Sequence, residues 1–499
     1  MYRMKNTTRG LALLLAAFMM IGSLFALSSC KQGGSGSQTT TSKPQDTVPP
    51  DETLPENERL SFDYTQLDFN DEKITILQRE HNSEELYGSN EEKADSVAEK
   101  VYIRNASIEE NLGVILDFQY VAGNVNDIQE YNEAIRRAAL VDMGIYDIVA
   151  NYAYFAVQPV KEGYFVNLLD LPYFSAEKVW WNQSYNAVNT LNDQLYTAVG
   201  DITTTLINET EVVFMNFNLT NSYLPDKDFY QMALDGEWTL EELEKAVAEV
   251  GQQDTFGTLL VGYNSSAVDG LLMGVGVQIC RRTSDGQLTM AMAGDTNYTL
   301  IERLKTLVHN EVNGVYGTGS KGGTNYKYNY EDSFAIGQGM FFIFRMSYAR
   351  YVLPDYRLNY GILPMPKADI TQDNYQCTPH DEYSCISVFN NSSAEKKTAA
   401  GAVLELMGYY SRQQVYPLLY ESLYKTRYLN DPVSSEIFDL IVNDTTFDFG
   451  FVWSNALGDP VHIFRDYIWK NESGLANKVE GSNADRLMAE LMDKFYGGE

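Results

Sequence analysis

Between about residues 74 and 150 the apolar residues switch repeatedly between two periods, and this alternation constrains the fold more than any other feature of the chain. Ile74-Thr75-Ile76-Leu77 has strand character. Val97, Val101, Ile108 and Leu112 then share one face of a helix predicted over about 91–112, with Gly113 as its stop. Val114 to Tyr120 predicts a second strand. Ile128, Tyr131, Ile135 and Ala138 predict a second helix, and Tyr146 to Ala150 a third strand. Strand–helix–strand–helix–strand in so short a stretch implies an α/β fold with a parallel sheet and right-handed crossovers. Ligands of open sheets bind at the loops leaving the carboxyl ends of the strands. Here those loops begin at Gln78-Arg79-Glu80 and at Asn151-Tyr152-Ala153-Tyr154.

Ahead of this region stand two segments of different character. Arg3, Lys5 and Arg9 precede an uncharged apolar run from Gly10 to Leu27, and Leu27-Ser28-Ser29-Cys30 follows directly. The run is short for a spanning helix and ends in small residues, as in a secretory signal. With a cysteine straight after the cut it resembles the bacterial lipoprotein signal, which implies lipid on Cys30 and a place on the outer face of the cytoplasmic membrane. Residues 1–29 are therefore read as signal peptide. Residues 30–59 read as a tether: from Lys31 to Arg59 there is no aromatic residue, and Val48 and Leu54 are the only large aliphatics.

Roughly 440 residues remain, more than one core usually holds, so two lobes are expected. The net charge of −31 becomes −34 once residues 1–29 are removed. So acidic a chain repels nucleic acid and anionic headgroups, which excludes both as partners. Cys280, Cys377 and Cys385 are too few and too odd in number for a disulfide framework. They are read as reduced thiols, with a Cys377–Cys385 bridge as the alternative. Thr239 with Glu242 forms a capping box before Leu240, Leu243, Val247 and Val250. Tyr298, Ile301, Leu304 and Val308 predict another helix, and Ser392 with Glu395 caps a third reaching about Tyr410.

Catalytic motifs are missing. His81, His309, His380 and His462 are widely spread with no H-E-x-x-H, so no His-based metal site is expected. Gly314 to Lys321 departs from a phosphate-binding loop, since Ser320 separates Gly319 from Lys321 and Gly322 follows. Asp295-Thr296-Asn297 opens like a calcium loop but has Leu300 where the turn needs glycine. No G-x-S-x-G is present. No catalytic residue and no cofactor are assigned. A glycosidase carboxylate pair is set in space rather than in sequence, so a secreted glycan-acting enzyme stays as the alternative.

The elements fall in an order that resembles the family 1 extracellular solute-binding proteins, the receptors of ATP-driven sugar importers. The similar segments are Tyr146-Asp147-Ile148-Val149, Leu195 to Gly200 followed by Val213-Phe214-Met215-Asn216, and Trp238 to Leu243. Phe334 to Phe342 and Tyr360 to Pro366 continue the series. The resemblance implies two mostly parallel α/β lobes of the type II periplasmic-binding-protein-like kind, closing on a solute between them. On this basis residues 60–205 with 340–382 form the first lobe and 206–339 with 383–499 the second.

It further implies a monomer that takes a small polar solute, a sugar or oligosaccharide, and passes it to an ABC transporter permease. A surface sensor or adhesion lipoprotein is the other rival reading. The 35 Tyr, 23 Phe and 5 Trp suit sugar capture, because an aromatic face matches the apolar face of a pyranose. Arg79 and Glu80 are candidates at the first strand's mouth, where they either bind solute or form a solvated pair. Asn151, Tyr152 and Tyr154 stand at the matching end of the third strand. Arg345 ends the apolar run Phe341 to Phe344, where a charge needs water, an acid or a ligand. Of Trp180 and Trp181, one is expected to face the cleft, with Trp181 chosen. Trp453 stands where sugar-binding relatives carry a stacking aromatic. Asp201 beside the hinge and Asp381 beside the return strand complete the candidates.

Overall fold

The computed structural model describes residues 54–91, 95–251, 257–262, 267–284, 286–317, 330–429 and 432–497. The signal segment, Cys30, most of the tether and the end of the glycine-rich segment at Ser320-Lys321 lie outside the described residues. Eleven strands are described: β1 (Glu72–Arg79), β2 (Val114–Val121), β3 (Ile148–Tyr152), β4 (Glu211–Asn216), β5 (Gly257–Val261), β6 (Cys280–Arg282), β7 (Leu288–Met290), β8 (Val315–Gly317), β9 (Gly339–Arg345), β10 (Tyr360–Leu363) and β11 (Ser384–Val388). The helices that matter below are α1 (Ser96–Leu112), α2 (Ile128–Leu140), α3 (Ala153–Lys161), α4 (Thr205–Glu209), α5 (Leu240–Val250), α6 (Asp295–Val308), α7 (Ser347–Tyr351), α8 (Ala394–Tyr410) and α9 (Pro460–Trp469).

The first sheet has the order β11-β3-β1-β2. β1 runs parallel to both neighbours, from Glu72 opposite Val114 to Arg79 opposite Val121. The alternating segments thus form the parallel sheet that their periods predict, with α1 and α2 as crossovers. Asp95 caps α1 by accepting from the Val97 N–H at 2.8 Å. Gly113 ends the helix in the left-handed region at φ 59°, and a Cβ there would stand 2.4 Å from Asp68 Oδ1. Only glycine meets both demands.

The second sheet has the order β10-β4-β9-β5-β8. It is half antiparallel, since β4 runs against both β10 and β9, while β5 runs parallel to β9 and β8. The expectation of two mostly parallel sheets therefore holds for the first sheet alone. A short hairpin, β6–β7, stands apart. Thr239 caps α5 as its sequence implies, accepting from the Glu242 N–H at 3.4 Å. Trp238 is fully buried, and its indole N–H donates to the Pro364 carbonyl at 2.9 Å.

Lobe membership differs from the sequence reading. Residues 340–382 were expected in the first lobe, yet β9 and β10 are hydrogen-bonded into the second sheet. The segment from 383 onward was expected in the second lobe, yet β11 is the antiparallel edge of the first sheet, pairing Ser384 with Tyr152. α8 then packs on α1 and β1. Apolar runs such as Phe341 to Phe344 require burial but do not name a neighbouring strand. The helix cap near Ser392 is also shifted by one: Ser393 accepts from the Lys396 N–H at 3.2 Å, while Ser392 Oγ donates to Asp147.

Two crossover segments connect the sheets and pair with each other. Thr210 and Pro379 form an antiparallel bridge, and the His380 N–H donates to the Glu209 carbonyl at 2.8 Å. A third connection leaves α8 as π-helical turns over Ser411–Val415 and Pro417–Tyr428. Cys280, Cys377 and Cys385 are free and buried, so Cys377 and Cys385 are unbridged.

Candidate functional site

β1 and β3 of the first sheet and β9 of the second all end toward the crossovers, so their last residues and following loops converge. A cavity of about 480 Å³ lies there. His81, Asn82, Glu84 and Glu85, after β1, line it together with Asp95 and the first turn of α1. α4 contributes Thr205, Asn208 and Glu209, and α7, directly after β9, contributes Ser347, Arg350 and Tyr351. Both lobes and a crossover therefore supply its wall. Tyr351 is 60% exposed; the Arg350 guanidinium stands 4.9 Å from its ring centre on one side, which leaves the other side for a ligand.

Charged side chains fill the floor beside this cavity. Arg345 Nη1 lies 2.7 Å from Glu382 Oε2 and 2.9 Å from Glu209 Oε2, and its Nη2 lies 3.2 Å from His380 Nε2. With Nε2 accepting from arginine, the His380 proton belongs on Nδ1, which faces Asp381 Oδ1 at 3.5 Å. Burial and the Arg345 charge push His380 well below the ordinary imidazole range. Arg79 is fully buried; its Nη2 donates to the Glu382 carbonyl at 2.7 Å and to Ser384 Oγ at 3.2 Å. Its guanidinium stands 4.9 Å from the Tyr152 ring centre. Further along, Tyr154 donates to Asp459 Oδ1 at 2.5 Å, and Arg465 forms a bidentate pair with Asp269.

Glu209, His380 and Glu382 bring three ligand-type atoms within 4.8 Å of one another. That spacing suits a cation, and one is present: the Arg345 guanidinium is hydrogen-bonded to Glu382 and His380 and ion-paired with Glu209. The group is an internal ion cluster joining β9 to both crossovers, and a metal would have to displace Arg345.

The structure brings Arg79, Tyr152, Tyr154, Arg345 and Asp381 of the sequence candidates together at the strand mouths. Asn151 also lies there, fully buried, with neither amide atom hydrogen-bonded. Glu80 is exposed and does not line the cavity. Three candidates lie elsewhere. Trp181 is buried against Phe174 and donates to Glu405 Oε2 at 3.1 Å, so it faces the core of the first lobe. Trp453 is buried with its ring stacked on Phe449 at 5.2 Å, and its N–H donates to Asn189 Oδ1 at 2.8 Å. Both rings are buried, and Trp181 borders the second cavity described next rather than the strand mouths.

Asp201 pairs with Arg412 at 3.3 Å in a second cavity of about 310 Å³. Leu206, Ile207 and Thr210 border that cavity, whereas Thr205, Asn208 and Glu209 border the larger one. The two cavities thus lie on opposite sides of α4, with Asp201 on the side away from the strand mouths. The cavity residues that sequence reasoning missed are chiefly Glu85, Glu209, Arg350 and Tyr351. The rule that found Arg79 applies equally to β9 and would have singled out α7, had β9 been read as ending at the cleft.

Burial makes several acids here reluctant to ionise. It raises Glu209 to about 7, with Arg345 opposing, and Asp381 to about 6, with Arg465 opposing. Asp201 rises to about 7 and Glu405 to about 8 for the same reason. Each folded value lies above its unfolded one, so the stability these groups contribute is complete below their unfolded range and lost as pH rises through 6–8. Burial lowers His81, His380 and His462, which opposes this trend only where unfolded imidazoles take up protons. The urea midpoint should therefore be higher at pH 6.5 than at pH 8.5. A midpoint that rises toward pH 8.5 would contradict the burial of these acids.

No protein-family model and no curated protein matches this sequence. Solved structures do match it. The cyclic α-maltosyl-1,6-maltose binding protein of Arthrobacter globiformis superposes with a TM-score of 0.57 at 11% identity, covering 85% of this chain and 100% of that one. Maltose-bound MalE3 of T. maritima gives 0.53 at 12% identity, covering 84% and 99%. The galacto-N-biose/lacto-N-biose I-binding protein of an ABC transporter from Bifidobacterium longum gives 0.52 at 10% identity, covering 85% and 98%. At such identities the likeness concerns the fold. Two helix-flanked sheets, joined by paired crossovers and aligned over most of the chain with these proteins, make this a two-lobed periplasmic-binding-protein-like fold.

Proposed function

We propose that this protein is a solute receptor that holds a carbohydrate between its lobes, and that it binds rather than catalyses. The observation that carries this reading is the cavity at the strand mouths, walled by both lobes and by α4, with an exposed Tyr351 beside carboxylates, Arg350 and Asn208. Such a wall matches a sugar chemically: a ring face for the pyranose and charged or amide groups for its hydroxyls. The three structural neighbours named above carry saccharides in their names, which supports the same solute class. Contacts from both lobes let a solute favour the closed form, because only differential affinity shifts such an equilibrium.

Delivery to an ABC permease, and tethering through lipid on Cys30 at the outer face of the cytoplasmic membrane, complete the proposal. The first is supported by the neighbour from Bifidobacterium longum, which belongs to an ABC transporter, the second by the signal sequence. Titration with neutral and amino di- and trisaccharides, followed by calorimetry, tests the binding step. For a saccharide that binds, Tyr351→Ala should weaken affinity about three- to tenfold, the scale of one lost aromatic stack. Unchanged affinity would remove α7 from the site.

A further inference from the structure

The charges around the cavity are unequal, and the inequality bears on the solute. Glu84, Glu85, Asp95 and Glu209 line it, against Arg350 as its one arginine among the described residues. Arg350 is held by Asp95 at 3.0 Å, and Glu209 is met by Arg345 from the floor. Glu84 and Glu85 have no lysine or arginine within ion-pair distance among the described residues. Glu85 accepts instead from neutral donors: the Thr205 N–H at 3.1 Å, Thr205 Oγ1 at 2.5 Å and Ser384 Oγ at 2.7 Å. Arg104, whose charge Glu85 feels, is fully buried and directs its donors at the Ile202 and Leu86 carbonyls, Asn105 and Ser411. His81 adds no charge at neutral pH, because burial and Arg79 lower its affinity for a proton.

A second observation points to a ligand at the same place. Arg350 is nine-tenths buried and lines the cavity, yet its Nε and Nη1 have no hydrogen-bond partner. Buried guanidinium donors left unpaired are costly, and a hydroxyl oxygen entering the cavity would accept from them. One ligand chemistry then answers the whole wall: an ammonium group toward Glu84 and Glu85, hydroxyl oxygens toward Arg350, and a ring face toward Tyr351.

We propose that the cavity takes a sugar carrying a protonated amine, an inference that rests on the carbohydrate reading and narrows it. Glu84 and Glu85 hold the ammonium, and Arg350 orients the sugar through its hydroxyls. Partial enclosure keeps the attraction from being fully screened, and the strongly acidic surface of the protein draws a cationic solute toward the cleft.

The test compares three disaccharides that share one skeleton and differ only at the 2-position: β-1,4-linked diglucosamine, N,N′-diacetylchitobiose and cellobiose. Each is titrated calorimetrically into the full-length protein at neutral pH and low salt. Diglucosamine should bind at least about tenfold tighter than the other two, and added salt should narrow that gap. Glu84→Gln, on an exposed side chain, should reduce the diglucosamine affinity about fivefold or more and the cellobiose affinity by clearly less, so that the amine preference shrinks. Equal affinities for diglucosamine and cellobiose would overturn the charge assignment while leaving the carbohydrate reading in place. A Glu84→Gln variant with full amine preference would likewise overturn it. Binding of none of the three would overturn both.

Discussion

Asp147→Ala should lower the unfolding free energy by about 3–5 kcal/mol, the cost of breaking a buried ion pair from one side. The carboxylate is fully buried just before β3 and serves three elements at once. Oδ2 accepts from the Thr75 N–H of β1 at 2.9 Å and from Lys396 Nζ of α8 at 2.9 Å, while Oδ1 accepts from Ser392 Oγ at 2.8 Å. Alanine would leave a strand N–H without an acceptor and a partly buried ammonium without a counter-ion. Both penalties fall on the same spot. Asp147→Asn keeps an acceptor for Thr75 or Ser392 but removes the charge, so it should fall between wild type and alanine. Urea denaturation followed by tryptophan fluorescence measures this, since Trp180 and Trp181 lie in the core that Asp147 ties together. Asp147 sits at the pole of the sheet opposite the strand mouths, so the folded variant should bind solute with unchanged affinity. A loss below about 1 kcal/mol would mean that the pair carries no more than an exposed one.

Asp147 illustrates which parts of the chain declare themselves. In the first lobe each strand and crossover has its own apolar period, and the three parallel strands are consecutive in sequence. The sheet and its ligand-binding edge could therefore be read locally. The second lobe assembles differently. β9 lies between β4 and β5, neighbours well separated from it in sequence, and the run Phe341 to Phe344 announces burial without naming either of them. Misplacing β9 also hid α7, and with it Arg350 and Tyr351. Aromatic residues failed for a related reason. Trp453 and Tyr351 both precede or end short helical segments, yet one is stacked on Phe449 and the other stands open at the cavity. What separates them is the opposing surface, which no local pattern encodes. Arg79 is legible because it stands at the mouth of the first strand, and Arg345 because a charge closing an apolar strand must meet a partner; both have one.

Arg345 carries the second large effect. Arg345→Met keeps the length and apolar contacts of the stem and removes only the guanidinium. Glu209 and Glu382 then lose the cation 2.9 and 2.7 Å away, and His380 Nε2 loses its donor. These groups join β9 to both crossovers, so the loss falls on the connection between the lobes. At pH 8.5 the expected cost is about 3–5 kcal/mol, because the partly buried carboxyls are left without their counter-charge. The sign of its pH dependence follows from Glu209. Its proton affinity is already raised, to about 7, by burial, and Arg345 is the main opposing influence. Without that influence the carboxyl binds its proton more tightly still. Protonation removes the buried charge, so acidification should restore stability in the variant more steeply than in the wild type. The gap between the two urea midpoints should therefore shrink from pH 8.5 to pH 5.5. A gap that is constant across this range would show that Arg345 acts through packing alone, and a gap that widens toward acid would reverse the assignment of Glu209 and Glu382 as its partners. Arg345→Lys separates charge from geometry. A lysine ammonium lacks the planar fork that reaches both carboxylates and the imidazole from one side chain, so lysine should recover part of the lost stability at pH 8.5 and less than all of it.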